Sequence, residues 1–336
     1  MSRGPGSRVE GGGVTEARYD SVLLVGFGGP TRGCCRRYED CPGEAFCFVK
    51  NVVGDRASGD ERIREVAAHY EHFGGVSPFI FFSQKQAGAL EMELERSGII
   101  APVYVGYRFW TPFVKEALAE MHRRGLRRTL GIALAPHRAK VSFEAYRGEA
   151  ESARRELGGE APEVTFAGTP WFDHPGYIGA TVDRVNELAG AMGEERFSAA
   201  RLIFSAHSIP VSMARTSPYR EQFEETARLA AGALGRESHL TGFQSSPNVP
   251  PGSWLEPDVL DVVREAADGG AKDVIVIPVG FICDHIEVLF DLDVEAREAA
   301  EERGMDYFRA GTVGSHPKFI SMLRDIVAAH RAGESG

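Results

Sequence analysis

The sequence predicts an α/β fold built on parallel sheets and divided into two similar halves. Short apolar runs rich in β-branched residues alternate with longer amphipathic stretches, which is the pattern of strands joined by crossover helices. The strand-like runs are almost continuously hydrophobic, as expected where helices cover both faces of a sheet. Similar strand-to-turn segments at 22–30 and 202–210 indicate two related halves, about 20–165 and 166–330.

The predicted elements alternate along the chain. Strands are predicted at 21–25, 103–105, 129–134, 164–168, 201–204, 240–244 and 274–278. Helices are predicted at 62–71, 79–96, 111–123, 219–234, 257–267 and 285–302. Ser77 and Pro78 resemble a cap and a first helical residue before 79–96. Gly269 and Gly270 provide the stop after 257–267.

Composition excludes several classes of protein. The 336 residues, with 43% hydrophobic and 26% charged, are typical of a globular chain of about two domains. The formal net charge of −10 argues against a nucleic-acid partner, which would require a basic footprint. No apolar run approaches the ~20 residues that span a bilayer. Residues 1–19 lack the apolar core of a signal peptide, so we expect a disordered leader and a cytoplasmic protein.

Ligands of parallel α/β sheets bind outside the carboxyl ends of the strands, so the residues at these ends carry the functional argument. The segment 26–30 (GFGGP) lacks the third glycine of a dinucleotide fingerprint, because Thr31 stands there. His207 follows the strand 201–204; it is either a loop histidine with satisfied hydrogen bonds or a functional group. Both interpretations stay open on position alone.

The strand 274–278 runs into an acidic helix. Asp284 and Glu287 resemble a capping box, which is the purely structural interpretation. Glu287, Asp291 and Glu295, however, recur at four-residue spacing on one helical face, where like charges stabilise nothing. Crowding and partial burial would raise the pKa of such carboxyls and suit them to accept protons. We therefore favour a functional role for Glu287 and Asp291.

Two of these segments, 204–210 (FSAHSIP) and 279–293 (VGFICDHIEVLFDLD), resemble the signature segments of the ferrochelatases. Further matches in the family's order are 23–30 (LLVGFGGP), 70–78 (YEHFGGVSP), 106–112 (GYRFWTP), 243–245 (FQS) and 254–257 (WLEP). Together they cover about residues 20 to 330. The resemblance implies two Rossmann-like domains that hold a porphyrin in the cleft between them, and insertion of ferrous iron in haem biosynthesis.

The resemblance also implies roles for individual residues. The family's key histidine corresponds to His207, its key glutamate to Glu287 and its further acidic residue to Asp291. The side chains implied around the porphyrin are Phe27, Tyr107, Arg108, Ser205 and His285. Our hypothesis makes His207 the proton acceptor and metal-facing ligand, Glu287 its acidic partner at the substrate iron, and Asp291 the group that carries protons away. The division of roles between His207 and Glu287 stays open.

Four of the five cysteines, Cys34, Cys35, Cys41 and Cys47, lie within fourteen residues. A chain without a signal sequence is not expected to pair them in disulfides. The spacing of these cysteines is not a zinc-binding pattern. Four thiolates suit a [2Fe–2S] cluster, which some ferrochelatases carry, although the family has no cysteines expected in this segment. A redox-inert or zinc-bound loop is the alternative. Cys283 is expected to be a small buried residue beside the site.

The predicted function is ferrous iron insertion into coproporphyrin III, with protoporphyrin IX as a second substrate. A cobalt chelatase for a sirohydrochlorin-type tetrapyrrole shares the same logic, and a non-catalytic haem or porphyrin carrier is the non-enzymatic alternative. A carrier needs no proton acceptors, which counts against it. The resemblance further implies transient contacts with other enzymes of the haem pathway.

Overall fold

The computed structural model describes residues 19–33, 42–54, 59–168, 170–247 and 250–332. The strands are β1 (Ser21–Gly26), β2 (Val103–Tyr107), β3 (Arg128–Ala133), β4 (Glu163–Phe166), β5 (Arg201–His207), β6 (Leu240–Gln244), β7 (Asp273–Ile277) and β8 (Asp306–Arg309). The longer helices are α1 (Glu44–Val53), α2 (Gly59–His72), α3 (Phe79–Arg96), α4 (Val114–Arg123), α5 (Ala145–Leu157), α6 (Pro175–Asn186), α10 (Tyr219–Ala233), α11 (Val259–Asp268) and α14 (Pro317–Ala332). Short helices are α7 (Ala189–Met192), α8 (Glu194–Ala199), α9 (Val211–Ala214), α12 (Ile286–Val288) and α13 (Arg297–Glu301), with π-helices at Lys140–Glu144 and Leu289–Ala296.

The strands form two four-stranded sheets in which every pair is parallel. The first sheet has the order β2-β1-β3-β4, and the second has the corresponding order β6-β5-β7-β8. The two central strands of each sheet are almost entirely buried, which explains their continuous hydrophobicity. The predicted α/β fold with two similar parallel-sheet halves is thereby confirmed.

The similarity of the halves extends to atomic packing. A Cβ on Gly106 in β2 would lie 2.9 Å from Cα of Val114, and a Cβ on Gly242 in β6 would lie 2.8 Å from Cα of Val259. In each half the glycine therefore lets the first residue of the following helix, α4 or α11, approach the strand closely. The weak sequence similarity between the halves thus reflects a repeated structural unit.

The predicted helices lie close to observed ones, but their caps and helix types differ in places. The helix 79–96 is found at those bounds, but Pro78 is the cap rather than the first helical residue; Ser77 Oγ accepts from Phe79 N at 3.4 Å. The predicted helix 285–302 is instead α12, the π-helix and α13 in succession. Strand β8 was not predicted, because its four residues begin and end with charged side chains.

The two halves contact each other through several elements. Helix α14, at the end of the chain, packs against α3 of the first half and against α6. The Gln86 side chain on α3 donates from Nε2 to the carbonyl oxygens of Ile282 (3.1 Å) and Gly314 (2.9 Å). The proposed domain boundary at 165/166 stays a prediction.

Tyr19 is the first residue that the structure describes. Tyr19, assigned to the leader, is buried among core residues and therefore belongs to the folded first half. Residues 1–18 lie outside the described residues. Within the described ranges, no helix has both the length and the apolarity needed to cross a membrane.

Candidate active site

His207 ends β5, where the strand leaves the sheet. Its Nδ1 contacts the carbonyl oxygen of Ser208, and because a carbonyl only accepts, Nδ1 must carry the proton. In the neutral ring the lone pair is therefore on Nε2. The Tyr219 hydroxyl donates to the His207 carbonyl oxygen at 2.9 Å and holds the backbone at this position. The local structure thus presents a proton-accepting or metal-binding nitrogen at the strand end.

Glu287 lies in α12, about ten residues beyond the end of β7, and its carboxylate faces that nitrogen. Glu287 Oε2 is 3.6 Å from His207 Nε2 and 3.9 Å from His285 Nδ1. Both of the side chains His207 and Glu287 are about one-third exposed, at 34% and 33%. These separations exceed hydrogen-bond length, so the two acceptors leave a gap in which a proton or a cation would interact with both.

Asp291 continues the acidic face into the protein. Only 7% of the residue is exposed, and its Oδ2 accepts from Gln244 Nε2 at 3.2 Å and from the Ser245 hydroxyl. Burial raises the pKa of Asp291 to about 8, with further contributions from Glu287 and Glu295, although the hydrogen bonds from Ser245 and Gln244 oppose the shift. The predicted rise in carboxyl pKa is thus found at Asp291, and both Glu287 and Glu295 contribute to it.

We expect Asp291→Asn to make protein stability less dependent on pH. The unfolded side chain loses its proton near its ordinary pKa of 3.8, whereas the folded one keeps it up to about 8. The free energy of unfolding of the parent should therefore fall relative to the variant as pH rises from about 4 to 8. Denaturant unfolding across this range measures the effect. The exposed Asp261→Asn control should leave the pH dependence unchanged; equal slopes in Asp291→Asn and its parent would contradict the shift.

Ser205 does not line the cleft. It is fully buried, and its hydroxyl donates to Gln244 Oε1 at 3.2 Å. Gln244 Nε2 in turn lies 3.3 Å from the carbonyl oxygen of Glu287 as well as contacting Asp291. The expectation that Ser205 touches the porphyrin is therefore wrong: its side chain points from β5 towards β6, where it orients Gln244.

The cleft between the halves contains a cavity of about 330 Å³. Residues of both halves line it, mainly with apolar side chains: Phe27, Phe79, Leu134, Val141 and Tyr146 from the first half, and His207, Pro210, Trp254, Phe281, His285 and Glu287 from the second. A largely apolar cavity with a few converging polar groups is the usual form of a small-molecule site. Phe27, His207, His285 and Glu287 thus meet in one place, as the sequence resemblance implied.

Tyr107 and Arg108, which are neighbours in segment 106–112, lie in different surroundings. Tyr107 is fully buried and shares a 2.8 Å hydrogen bond with the Ser83 hydroxyl, so its expected contact with substrate is wrong. The alternation of side chains along β2 turns it into the core. Arg108 lies at the margin of the cleft, where it donates to the Val141 carbonyl oxygen at 3.3 Å and covers the Phe109 ring at 4.6 Å.

The loop before Glu287 is held by an interaction that sequence reasoning missed. Asp284 does not cap a helix; His285 occupies the cap position of α12 without a side-chain cap bond. The Asp284 carboxylate instead accepts from Arg309 at 3.1 and 3.2 Å. The capping-box interpretation is therefore wrong. No local signal marks Arg309, because it is a single arginine at the end of a short strand far along the chain.

The cysteines are only partly described. Cys34, Cys35 and Cys41 lie outside the described residues, while Cys47 is buried in α1. Cys283 is buried beside the site, and burial raises the pKa of its thiol, as expected for a small packed residue. Among the residues that the structure describes, no three His, Cys, Asp or Glu side chains are grouped as metal ligands.

The two parallel sheets of corresponding strand order give the chain a chelatase-like fold, and His207 and Glu287 face each other beyond the carboxyl ends of β5 and β7, both in the second sheet. SirB from Bacillus subtilis, solved with Fe3+, has a similar fold: its TM-score is 0.54 at 12% identity, over 94% of this chain and 98% of that one. The chain belongs to the ferrochelatase family, whose sequence model matches residues 19–331.

Relatives agree with this assignment. Ferrochelatase from Rhodopirellula baltica is 37% identical over 310 residues, covering 92% of this chain and 85% of the relative. Coproporphyrin III ferrochelatase from Nocardia farcinica is 37% identical over 322 residues, covering 94% and 89%. The prediction of a ferrochelatase, a metal-inserting lyase of haem biosynthesis that takes ferrous iron as substrate, is confirmed.

Proposed function

We propose that this chain inserts ferrous iron into coproporphyrin III, with protoporphyrin IX as the alternative substrate. The main support is the 3.6 Å separation of His207 Nε2 from Glu287 Oε2 at the wall of an apolar cleft. The preference for coproporphyrin is supported by the name of the relative from Nocardia farcinica.

His207 would begin the reaction. Insertion of iron requires loss of the pyrrole protons and removal of water from the metal ion. The Nδ1 proton is held by the Ser208 carbonyl oxygen, so the lone pair of Nε2 is directed away from that bond and is available to a pyrrole proton or to the incoming ion. A positioned general base of this kind contributes ~10²–10⁴-fold to the rate.

Glu287 and Asp291 would continue the path of the protons. The Glu287 carboxylate stabilises positive charge on His207 as the ring takes a proton. Asp291 is the next carboxyl inward, and a pKa of about 8 lets it take up and release protons near neutral pH. Gln244, bonded to both the Glu287 carbonyl oxygen and Asp291, keeps the two residues in register.

Turnover assays distinguish the candidate functions. Anaerobic Fe²⁺ is added with coproporphyrin III or with protoporphyrin IX, and loss of the free-porphyrin absorption is followed. We expect multiple turnovers, with the higher kcat/KM for coproporphyrin III. A higher kcat/KM with protoporphyrin IX would overturn the choice of substrate. Faster Co²⁺ insertion into sirohydrochlorin would favour the cobalt chelatase, and stoichiometric binding without turnover would favour a carrier.

Arg108 is the proposed partner of a porphyrin propionate, because its guanidinium lies at the cleft margin over the Phe109 ring. The centroid of that ring is 4.8 Å from the ring centroid of Phe27, which lines the cleft. We expect Arg108→Gln to raise KM for coproporphyrin III about two- to fivefold, the size of a solvent-exposed ion pair, with little change in kcat. Steady-state kinetics measure the split. Arg264→Gln, on an exposed turn of α11, is the matched control; an unchanged KM in Arg108→Gln would remove the proposed contact.

The iron–sulfur cluster stays a prediction for Cys34, Cys35, Cys41 and Cys47. Cys47 is 1% exposed within α1, so a cluster bound by this thiol would lie against the core of the first half. A broad visible absorption of freshly purified protein, lost in Cys41→Ser, would support the cluster. A colourless protein from iron-replete cells would favour the inert or zinc-bound loop.

A role in haem synthesis also suggests where this chain acts and which proteins it meets. We infer that the chain acts in the cytoplasm and makes transient contacts with the enzymes that precede and follow it in haem synthesis, without a nucleic-acid partner. The net charge of −10 supports the last point.

A further inference from the structure

Arg309, the last residue of β8, uses its entire hydrogen-bonding capacity. The side chain is 12% exposed. Nε and Nη2 donate to the two carboxylate oxygens of Asp293, at 2.6 and 2.9 Å. Nη1 and Nη2 donate to the two oxygens of Asp284, at 3.1 and 3.2 Å, and Nη1 also donates to the Ala310 carbonyl oxygen at 3.3 Å. A guanidinium has five N–H groups, so every donor has a partner.

The two aspartates flank the acidic part of the site. Asp284 directly precedes His285 and stands three residues before Glu287, whereas Asp293 follows Asp291 by two residues within the π-helix. The Thr312 hydroxyl also donates to Asp284, at 3.0 Å. Arg309 therefore joins both ends of segment 284–293 from a neighbouring strand, without touching the cleft, which it does not line.

We propose that Arg309 is a positioning residue for iron insertion: it holds segment 284–293 so that Glu287 stays opposite His207 and Asp291 stays behind it. The inference rests on the proposed function of these three residues. Two physical effects support it. The guanidinium places positive charge on a short segment crowded with carboxylates, and its planar fork fixes two carboxylates at once, which fixes orientation as well as distance.

The direct test is Arg309→Lys, which keeps the charge and removes the planar fork. Lysine has three donors on one nitrogen and cannot bind both carboxylates bidentately. A small displacement of a catalytic group can cost about 10²-fold, so we expect kcat to fall about ten- to a hundredfold, with KM for the porphyrin changed less than about twofold. This split separates positioning from a loss of folded protein, and rates are expressed per folded, porphyrin-binding site.

Arg196→Lys is the matched control. Arg196 bridges Asp273 and Asp306 at the opposite end of strands β7 and β8, again joining two aspartates by one guanidinium. We expect it to leave kcat unchanged. Should Arg309→Lys not fold, Asp293→Asn keeps the pair with Asp284 and weakens only one end; its kcat should fall while KM holds.

The possible results distinguish a failure of the positioning role of Arg309 from a failure of the proposed function. Unchanged kcat in the folded Arg309→Lys or Asp293→Asn variant, an equal loss in Arg196→Lys, or a rise in KM with kcat retained would overturn the positioning role. A parent protein that inserts no iron would overturn the proposed function itself, before any variant is compared.

Discussion

Replacement of His207 with alanine is expected to reduce kcat/KM for iron insertion about 10²–10⁴-fold. The variant loses Nε2, the nitrogen that lies 3.6 Å from Glu287 Oε2 and carries the ring's lone pair, since Nδ1 is bonded to the Ser208 carbonyl oxygen. The hydrogen bond from Tyr219 to the residue 207 carbonyl oxygen is a backbone contact and is retained. The fold should therefore survive the substitution, and the loss should appear in the chemical step.

Initial rates of metalloporphyrin formation and, separately, porphyrin binding by fluorescence quenching measure this effect. We expect binding within about threefold of the parent, because apolar side chains supply most of the cavity wall. His122→Ala is the control: this histidine lies in the last turn of α4 and does not line the cavity. A folded His207→Ala protein with parental kcat would show that another group accepts the pyrrole protons.

Glu287→Gln is the second substitution with a large expected effect. Glutamine keeps the size of the side chain but cannot take a proton or carry the charge that stabilises a protonated His207. We expect kcat to fall at least about 10²-fold. Glu298→Gln, an exposed glutamate of α13 in the same acidic region, should stay near the parental rate.

The double variant His207→Ala, Glu287→Gln tests whether the pair works as a unit. Groups that act together lose most of their contribution when either is removed, so the combined loss should be far smaller than the product of the single losses. Additive losses in log kcat would mean that the two side chains serve separate steps. The 3.6 Å separation of Nε2 and Oε2 argues for coupling.

The site could be predicted where its residues stand at the carboxyl ends of strands. His207 is the last residue of β5, Phe27 directly follows β1, and Glu287 lies beyond the end of β7; the parallel topology brings the strand ends to one edge of each sheet. Glu287 and Glu295, spaced four residues on either side of Asp291, both raise its pKa, although the segment between 289 and 296 is π-helical. Pattern and topology thus indicated where these residues lie, and the resemblance to the ferrochelatases supplied the roles expected of them.

Prediction failed where a side chain's surroundings come from distant parts of the chain. Tyr107 and Ser205 lie in matched segments at strand ends, yet both are buried, because Tyr107 bonds to Ser83 and Ser205 to Gln244. Asp284 has the spacing of a cap but binds Arg309, twenty-five residues away. Such partners leave no periodic signal, because hydrogen bonds between elements depend on how strands and helices are placed in space.

The sequence by itself determined the alternation of strands and helices, the parallel sheets, the two related halves and the two strand ends that carry His207 and Glu287. These features follow from hydrophobic periodicity and turn residues, which act over a few neighbouring positions. Tertiary structure alone decided the 3.6 Å gap between imidazole and carboxylate, the burial that raises the pKa of Asp291, and the bracing by Arg309. Distances, dielectric surroundings and long-range hydrogen bonds exist only once the two sheets and their helices have packed together.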